Sequence, residues 1–317
     1  MNYLVTGGAG FIGSNLVNRL VTEGNHITII DDLSMGKKCN IRETDKVKFF
    51  EGSVMDKNLL SSIIKAESFD YIFHLAAVAS VADSIERPLE THKVNYDSVL
   101  YLLNLCKKYQ PGLKRFIFSS SSAVYGDIDL PFKSETTPVK PLSQYAVDKY
   151  AGERTVLNFY NLYGVPTSAV RFFNVYGPNQ NPSSPYSGVV SILTDKFQKL
   201  REGEKTYFTL FGDGKQTRDF IFVDDVLNAL NSIAISSKSL GEVYNVGTGT
   251  GTSLNQIIKI LSGIYSIELP IVQRSVRKGD IRQSVASKEK LTSLGFDATY
   301  TVNEGLNKLV RSFHERK

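Results

Sequence analysis

A run of glycines directly behind the first apolar segment constrains this chain more than any other stretch. Leu4-Val5-Thr6 reads as a short buried strand. Gly7-Gly8-Ala9-Gly10-Phe11-Ile12-Gly13 follows at once and opens a segment of helical period from Ile12 to Glu23. A strand that turns so tightly into a helix needs residues without side chains. The helix start also presents unpaired N–H groups where a pyrophosphate can approach the backbone. A glycine pattern alone is weak, but the strand–turn–helix setting is the one a dinucleotide site requires. Asp31 ends the next strand, about 20 residues further on, where a carboxylate can accept from both adenosine ribose hydroxyls. It also repels a 2′-phosphate, so the expected cofactor is NAD.

Ile27 to Ile30, Val47 to Phe50, Tyr71 to Leu75 and Phe116 to Phe118 continue as strands. Helices are expected over Ile12 to Glu23, Lys57 to Lys65, Glu90 to Tyr109 and Ser143 to Tyr163. A further strand covers Thr167 to Phe172. Alternation of this kind predicts a parallel sheet covered on both faces. The expected fold is α/β, a Rossmann-like doubly wound parallel sheet with a smaller mixed α/β substrate lobe. Residues 177–188, rich in Pro, Asn, Ser and Gly, read as a loop or lid. A helix from Val189 to Leu200 and a buried strand at Tyr244-Asn245-Val246 follow. Residues 1–173, joined by 219–247, are expected to form the dinucleotide domain, and 174–218 with 248–317 the second lobe.

Composition excludes several other classes. The 317 residues contain no apolar run long enough to span a bilayer, so no membrane partner and a cytoplasmic location are expected. Cys39 and Cys106 lack metal or redox spacing and read as reduced structural thiols. His26, His74, His92 and His314 are scattered, so no metal site is expected. The net charge of +5 is not gathered into a basic stripe, and no nucleic-acid partner is expected.

Tyr145 and Lys149 form Y-x-x-x-K on the helix expected from Ser143, and spacing i, i+4 puts both on one face. A nearby ammonium favours the phenolate, so Lys149 is expected to lower the Tyr145 pKa. A phenol tuned toward neutrality can take or give a proton while hydride moves to or from nicotinamide. Ser119-Ser120-Ser121-Ser122 closes a strand upstream. Strand carboxyl ends line the crevice of an open α/β sheet, so a serine there can reach the same substrate hydroxyl.

These segments, with His74-Leu75-Ala76-Ala77, Ser121 through Gly126, Arg171 through Pro178, Phe211 through Gly214 and Arg218-Asp219-Phe220, stand in a familiar order. In that order the chain resembles extended short-chain dehydrogenases/reductases over nearly its whole length. It is most similar to the nucleotide-sugar 4-epimerases, especially those acting on UDP-N-acetylhexosamines. The resemblance implies Tyr145 as acid/base, Lys149 as its tuner and ribose ligand, and Ser121 as partner of the sugar 4-OH. It implies NAD contacts at Gly7, Gly10, Phe11, Ile12, Gly13, Asp31, Asp32, Ser34, Gly36, Ser53, Val54, Leu75, Ala76, Ala77, Asn95, Ser119, Tyr145, Lys149 and Phe172. Ser53 departs from the pattern, since many relatives carry an Asp there. For the UDP-sugar, the resemblance implies Asn174, Arg218 and Arg277 on the pyrophosphate and Asp280 on the uridine ribose. Val190 would also touch the substrate, and Ser284 would face the sugar 2-substituent, where a small residue admits an N-acetyl group. It also implies a homodimer built on a four-helix contact.

Among nucleotide-sugar enzymes, a 4,6-dehydratase carries an Asp-Glu pair before its Val-Tyr-Gly segment, where this chain has Ser122-Ala123. A UDP-glucuronate epimerase or decarboxylase needs a cation for the sugar carboxylate, and residues 179–186 offer no arginine. A non-catalytic NAD-binding sensor on the same fold is a third alternative. The expected activity is NAD-dependent interconversion of UDP-GlcNAc with UDP-GalNAc, and of UDP-Glc with UDP-Gal, through a 4-keto sugar.

Overall fold

The computed structural model describes residues 1–182, 188–276 and 281–314. Its centre is a parallel sheet of seven strands. These are β1 (Asn2–Thr6), β2 (His26–Asp31), β3 (Val47–Glu51), β4 (Tyr71–His74), β5 (Arg115–Ser121), β7 (Thr167–Phe172) and β11 (Glu242–Val246). They run in the order β11-β7-β5-β4-β1-β2-β3. The order reverses between β1 and β4, which opens a crevice beyond the strand carboxyl ends.

Both faces of this sheet are apolar, and the strand period of two sorts the side chains between them. Tyr3, Val5, Ile27 and Ile29 join one core with helices α1 (Phe11–Thr22) and α8 (Val223–Ile235). Leu4, Ile30, Phe116 and Phe118 join the other, against α2 (Lys57–Ala66), α5 (Ser98–Tyr109) and α6 (Gln144–Tyr163). Helix ends follow local chemistry. The Asp56 side chain accepts from Asn58 N and Leu59 N to start α2, and Ser143 accepts from Ala146 N to start α6. Gly164, at φ +70°, ends α6 in the left-handed conformation glycine enters without strain.

The helix expected over Glu90–Tyr109 is present and continuous, but its winding changes along the way. After α3 (Val81–Glu86), α4 (Pro88–His92) passes through a π-turn at Lys93–Asp97 into α5. The wider turn delivers Asn95 to the β4 loop, where Oδ1 accepts from Val78 N at 2.9 Å and Nδ2 donates to Val78 O at 3.1 Å.

The second sheet is small and mixed. Strand β10 (Thr217–Phe222) pairs with β12 (Gly251–Ser253), β14 (Gln283–Ala286) and β8 (Asn174–Tyr176), and β14 pairs with β6 (Phe132–Lys133). Thus β6 lies early in the sequence yet belongs to this sheet. A two-stranded pair joins β9 (Phe208–Phe211) to β13 (Ile271–Arg274). Helices α7 (Val189–Arg201), α9 (Leu254–Tyr265) and α11 (Val302–His314) close over these strands around Tyr176, Phe197, Phe222 and Leu261. Short α10 (Glu289–Thr292) instead sends Leu291 back to the first core. No helix among the described residues is long and apolar enough to cross a membrane.

Candidate active site

The crevice is a cavity of about 710 Å³. At one end stands the glycine turn. Gly7 has φ +71°, and a Cβ on Gly13 would collide with the Gly7 carbonyl oxygen. Gly10 is the N-cap of α1 and brings no side-chain cap, so the first amides of the helix are directed at the cavity without a protein acceptor from that cap. Gly7, Gly10, Phe11, Ile12 and Gly13 all line the space. A turn too tight for a Cβ at Gly7 or Gly13, leading into the amino end of a helix, fits a pyrophosphate.

Asp31 stands beside it at the end of β2. Its Oδ2 accepts from Ala9 N at 2.8 Å and its Oδ1 from Leu33 N at 2.9 Å, which orients the carboxylate. Burial raises its pKa above the ordinary carboxylate range, and these amides act in the opposite direction. Asp32, Ser34, Gly36, Val54, Leu75, Ala76 and Ala77 complete this part of the wall.

The chemistry-bearing groups come from β5 and α6. Lys149 is 2 % exposed, and its Nζ donates to Ser119 O at 2.8 Å. Ser119 Oγ in turn donates to His74 O at 3.1 Å. Ser121 ends β5, and its Oγ accepts from Ala123 N at 3.1 Å, leaving its O–H proton to donate elsewhere. Tyr145 lies one turn before Lys149, half-buried on the same wall with Ser119, Ser121 and Phe172.

The expected lowering of the Tyr145 pKa by Lys149 is not found. Burial raises it, and only hydrogen bonding with Ser121 opposes the rise. The reason is geometric: Lys149 Nζ is aimed at the Ser119 carbonyl and sits 6.0 Å from the Tyr145 ring centre. Burial also pulls Lys149 itself down to about 7, against the pull of Asp148.

Asn174 and Val190 line the far side of the cavity. Four other expected residues do not line it. Ser53 accepts from Met55 N, and Asn95 braces Val78 from behind. Arg218 and Ser284 are register partners in β10 and β14. Arg277 and Asp280 lie outside the described residues.

Several groups in or under the cavity were missed from the sequence. Glu153 continues the four-residue spacing of Tyr145 and Lys149 along α6, a signal that could have found it. It pairs with Arg171 in a buried fork (Nη2 to Oε1 2.6 Å, Nε to Oε2 2.8 Å) and accepts from Ser120 Oγ at 2.8 Å. Arg171 also donates to Tyr125 Oη, so α6, β5 and β7 are tied together below the reacting groups. Arg87 lines the cavity as well, with Nη2 3.0 Å from Asp83 Oδ1. A cation therefore lines the cavity at the end of α3, beside a carboxylate, whereas residues 179–186 carry no arginine.

Comparison with known proteins agrees with this geometry. Residues 3–247 match the NAD dependent epimerase/dehydratase family. The chain is 35% identical over 322 residues to a UDP-glucose 4-epimerase of Mycolicibacterium smegmatis, covering 100% of this chain and 99% of that one. The crystal structure of a Thermotoga maritima UDP-glucose 4-epimerase with UDP-glucose superposes with a TM-score of 0.91 at 38% identity, covering 100% and 99%. A UDP-N-acetylglucosamine 4-epimerase from Methanobrevibacter ruminantium, in complex with UDP-N-acetylmuramic acid, gives 0.90 at 36% identity with the same coverage. With the glycine cradle, Asp31 and the Tyr145–Lys149 pair on one crevice, this chain belongs to the NAD dependent epimerase/dehydratase family and uses NAD as its cofactor.

Proposed function

We propose that this protein is a UDP-hexose 4-epimerase that interconverts UDP-GlcNAc with UDP-GalNAc and also accepts UDP-Glc and UDP-Gal. The observation that carries the reading is the meeting of Ser121, Tyr145 and Lys149 on one cavity wall, continuous with the glycine cradle. Bound NAD supplies a reversible hydride acceptor. Tyr145 takes the proton of the sugar 4-OH and later returns it, Ser121 donates a hydrogen bond to the same oxygen, and Lys149 holds the nicotinamide ribose. Asn174, Arg218 and Arg277 hold the diphosphate, since guanidinium groups pair with phosphate oxygens in forked geometry. Asp280 takes the uridine ribose, and the small Ser284 leaves room for an acetamido group. Residues 1–173 with 219–247 serve NAD, and 174–218 with 248–317 serve the UDP-sugar.

Dehydration is disfavoured because Ser122-Ala123 cannot act as a carboxylate acid or base. A second reading, action on a UDP-uronate, is favoured by Arg87 on the cavity wall and opposed by Asp83 beside it. A homodimer through α5 and α6 is supported by apolar side chains exposed on and beside them, among them Leu89, Leu100 and Val147. The deciding experiment incubates purified protein with UDP-GlcNAc, UDP-Glc and UDP-glucuronate separately and resolves the C4 epimers. Epimers from the first two support the reading, and NAD-loaded protein that makes neither rejects it.

A further inference from the structure

Strand β5 loses a neighbour just before it reaches the site. Its pairing with β4 ends at Phe118 opposite His74, whereas its pairing with β7 continues through Ser119, Ser120 and Ser121. These three serines therefore have a ladder partner on one side only. Side chains supply the rest. Ser119 Oγ donates to His74 O at 3.1 Å, and Lys149 Nζ donates to Ser119 O at 2.8 Å. Ser120 Oγ donates to Glu153 Oε2 at 2.8 Å.

Tyr145, Lys149 and Glu153 stand at four-residue intervals on one face of α6. Phe118 and Ser120 lie on the sheet face turned to that helix, because strand side chains alternate. The fit is close there: a Cβ on Gly152 would come 2.7 Å from the Phe118 ring. The next residue, Glu153, is 0 % exposed, and its Oε2 also accepts from Arg171 Nε at 2.8 Å. Arg171 is the register partner of Ser120 across β5 and β7. One carboxylate oxygen thus fastens a cross-strand pair to the helix, directly before the pair Ser121 and Phe172. Arg171 Nη2 completes the fork on Oε1, so the ion pair stands without Ser120, and the serine bond is an addition to it. Neither Glu153 nor Arg171 lines the cavity, and the Ser120 proton is committed to Glu153.

We propose that Glu153, held by Arg171, is a positioning residue that seats α6 on the end of β5 through Ser120 and so fixes Tyr145 against Ser121. Tyr145 lies eight residues before Glu153, about 12 Å along the helix. A shift of the helix at this anchor is carried to the Tyr145 hydroxyl, and a misplacement of about 1 Å lowers a rate by about 100-fold. The roles of Tyr145 and Ser121 rest on the function proposed above, whereas the anchor itself does not.

Ser120→Ala tests this, because it removes one hydroxyl and leaves the fork between Glu153 and Arg171 intact. With UDP-GlcNAc or UDP-Glc as substrate, kcat falls about ten-fold or more while KM and bound NAD change little. In a Tyr145→Phe background the same substitution costs no further activity, since the group being positioned is gone. A substrate-free readout is amide exchange at Ala123, whose N–H is bonded to Ser121 Oγ. It rises about ten-fold or more in S120A, the size of losing a hydrogen bond to a charged group. That rise exceeds the one at Phe118, which has a strand on each side. Wild-type kcat in folded S120A overturns the proposal, and so do equal losses in the two backgrounds. An Ala123 amide that gains no more than Phe118 overturns it as well. If S120A does not fold, Glu153→Asp, which keeps a charge for Arg171 but draws it back by one methylene, is read by the same criteria. If NAD-loaded wild type turns over no UDP-sugar, the epimerase reading fails, and the exchange result alone upholds or overturns the anchor.

Discussion

The two sheets of this molecule support the cavity in different ways. The seven-stranded sheet is made of repeated parallel units whose side chains are buried on both faces, and it presents the cavity with strand ends and helix starts. The second sheet is made of short strands from distant parts of the chain. Side-chain clamps hold it. Buried Asp219 accepts from Thr248 N, Gly249 N and Ala286 N, and buried Lys133 donates to Leu130 O and Gln283 O. Each hydrogen bond to such a charged group contributes about 1.5–3 kcal/mol. Regular packing thus carries the groups assigned to NAD and proton transfer, and individually bonded side chains hold the strands assigned to the UDP-sugar.

That contrast yields mutations that strike one half and spare the other. The largest effect is expected at Tyr145. Tyr145→Phe keeps the fold and NAD binding and lowers turnover about 10²- to 10⁴-fold, the usual cost of removing a positioned acid/base. Steady-state rates alongside NAD content check this, and near-native turnover would remove Tyr145 from the role of base.

His74 probes the parallel sheet by pH. Its ring lies between Phe116 and Phe118, Nδ1 is 2.8 Å from Thr6 Oγ1, and burial pulls its pKa from 6.5 to about 3. The unfolded chain binds this proton below pH 6.5 and the folded protein does not. The contribution of His74 is therefore complete above pH 6.5 and is lost as pH falls toward 3, by up to about 1.4 kcal/mol per pH unit. Urea unfolding should show wild type losing stability relative to His74→Gln between pH 6 and 4. Parallel pH dependence in the two proteins would contradict the neutral imidazole.

The opposite half is probed by Arg218→Ala and Arg277→Ala. Each is expected to raise KM for the UDP-sugar by about ten-fold or more, from a charge-assisted bond of about 1.5–3 kcal/mol, with NAD affinity unchanged. Calorimetric titration with UDP separates the two, and wild-type UDP affinity in either mutant removes that arginine from the site. The smallest change is expected from Ser284→Tyr, where overpacking by about 1–3 kcal/mol should suppress the acetamido sugars selectively. The readout is kcat/KM for both sugar pairs, and equal losses for the two would defeat the idea that Ser284 governs the choice.

The parallel sheet was largely legible in advance because its signals are local. The strands around Leu4, Ile29, Ile72 and Ile117 fall where short apolar runs placed them, and the glycine turn follows β1 as expected. The second sheet was not legible: β6 and β8 span two and three residues, too short to show a period. The π-turn at Lys93–Asp97 was also invisible, since helical spacing before and after it reads as one helix.

What the sequence by itself determined is the repeating α/β frame, the cradle at Gly7 to Gly13, and Tyr145 and Lys149 one turn apart. Backbone sterics and helical pitch act over a few residues and need no partner. Only the tertiary structure decided that Lys149 bonds Ser119, with its Nζ 6.0 Å from the Tyr145 ring centre. It also decided that Asn95 braces Val78, that Arg171 locks onto Glu153, and that Asp148 meets His92. Each of these joins different elements of the chain, so its geometry follows from how sheets and helices pack, which no local pattern records.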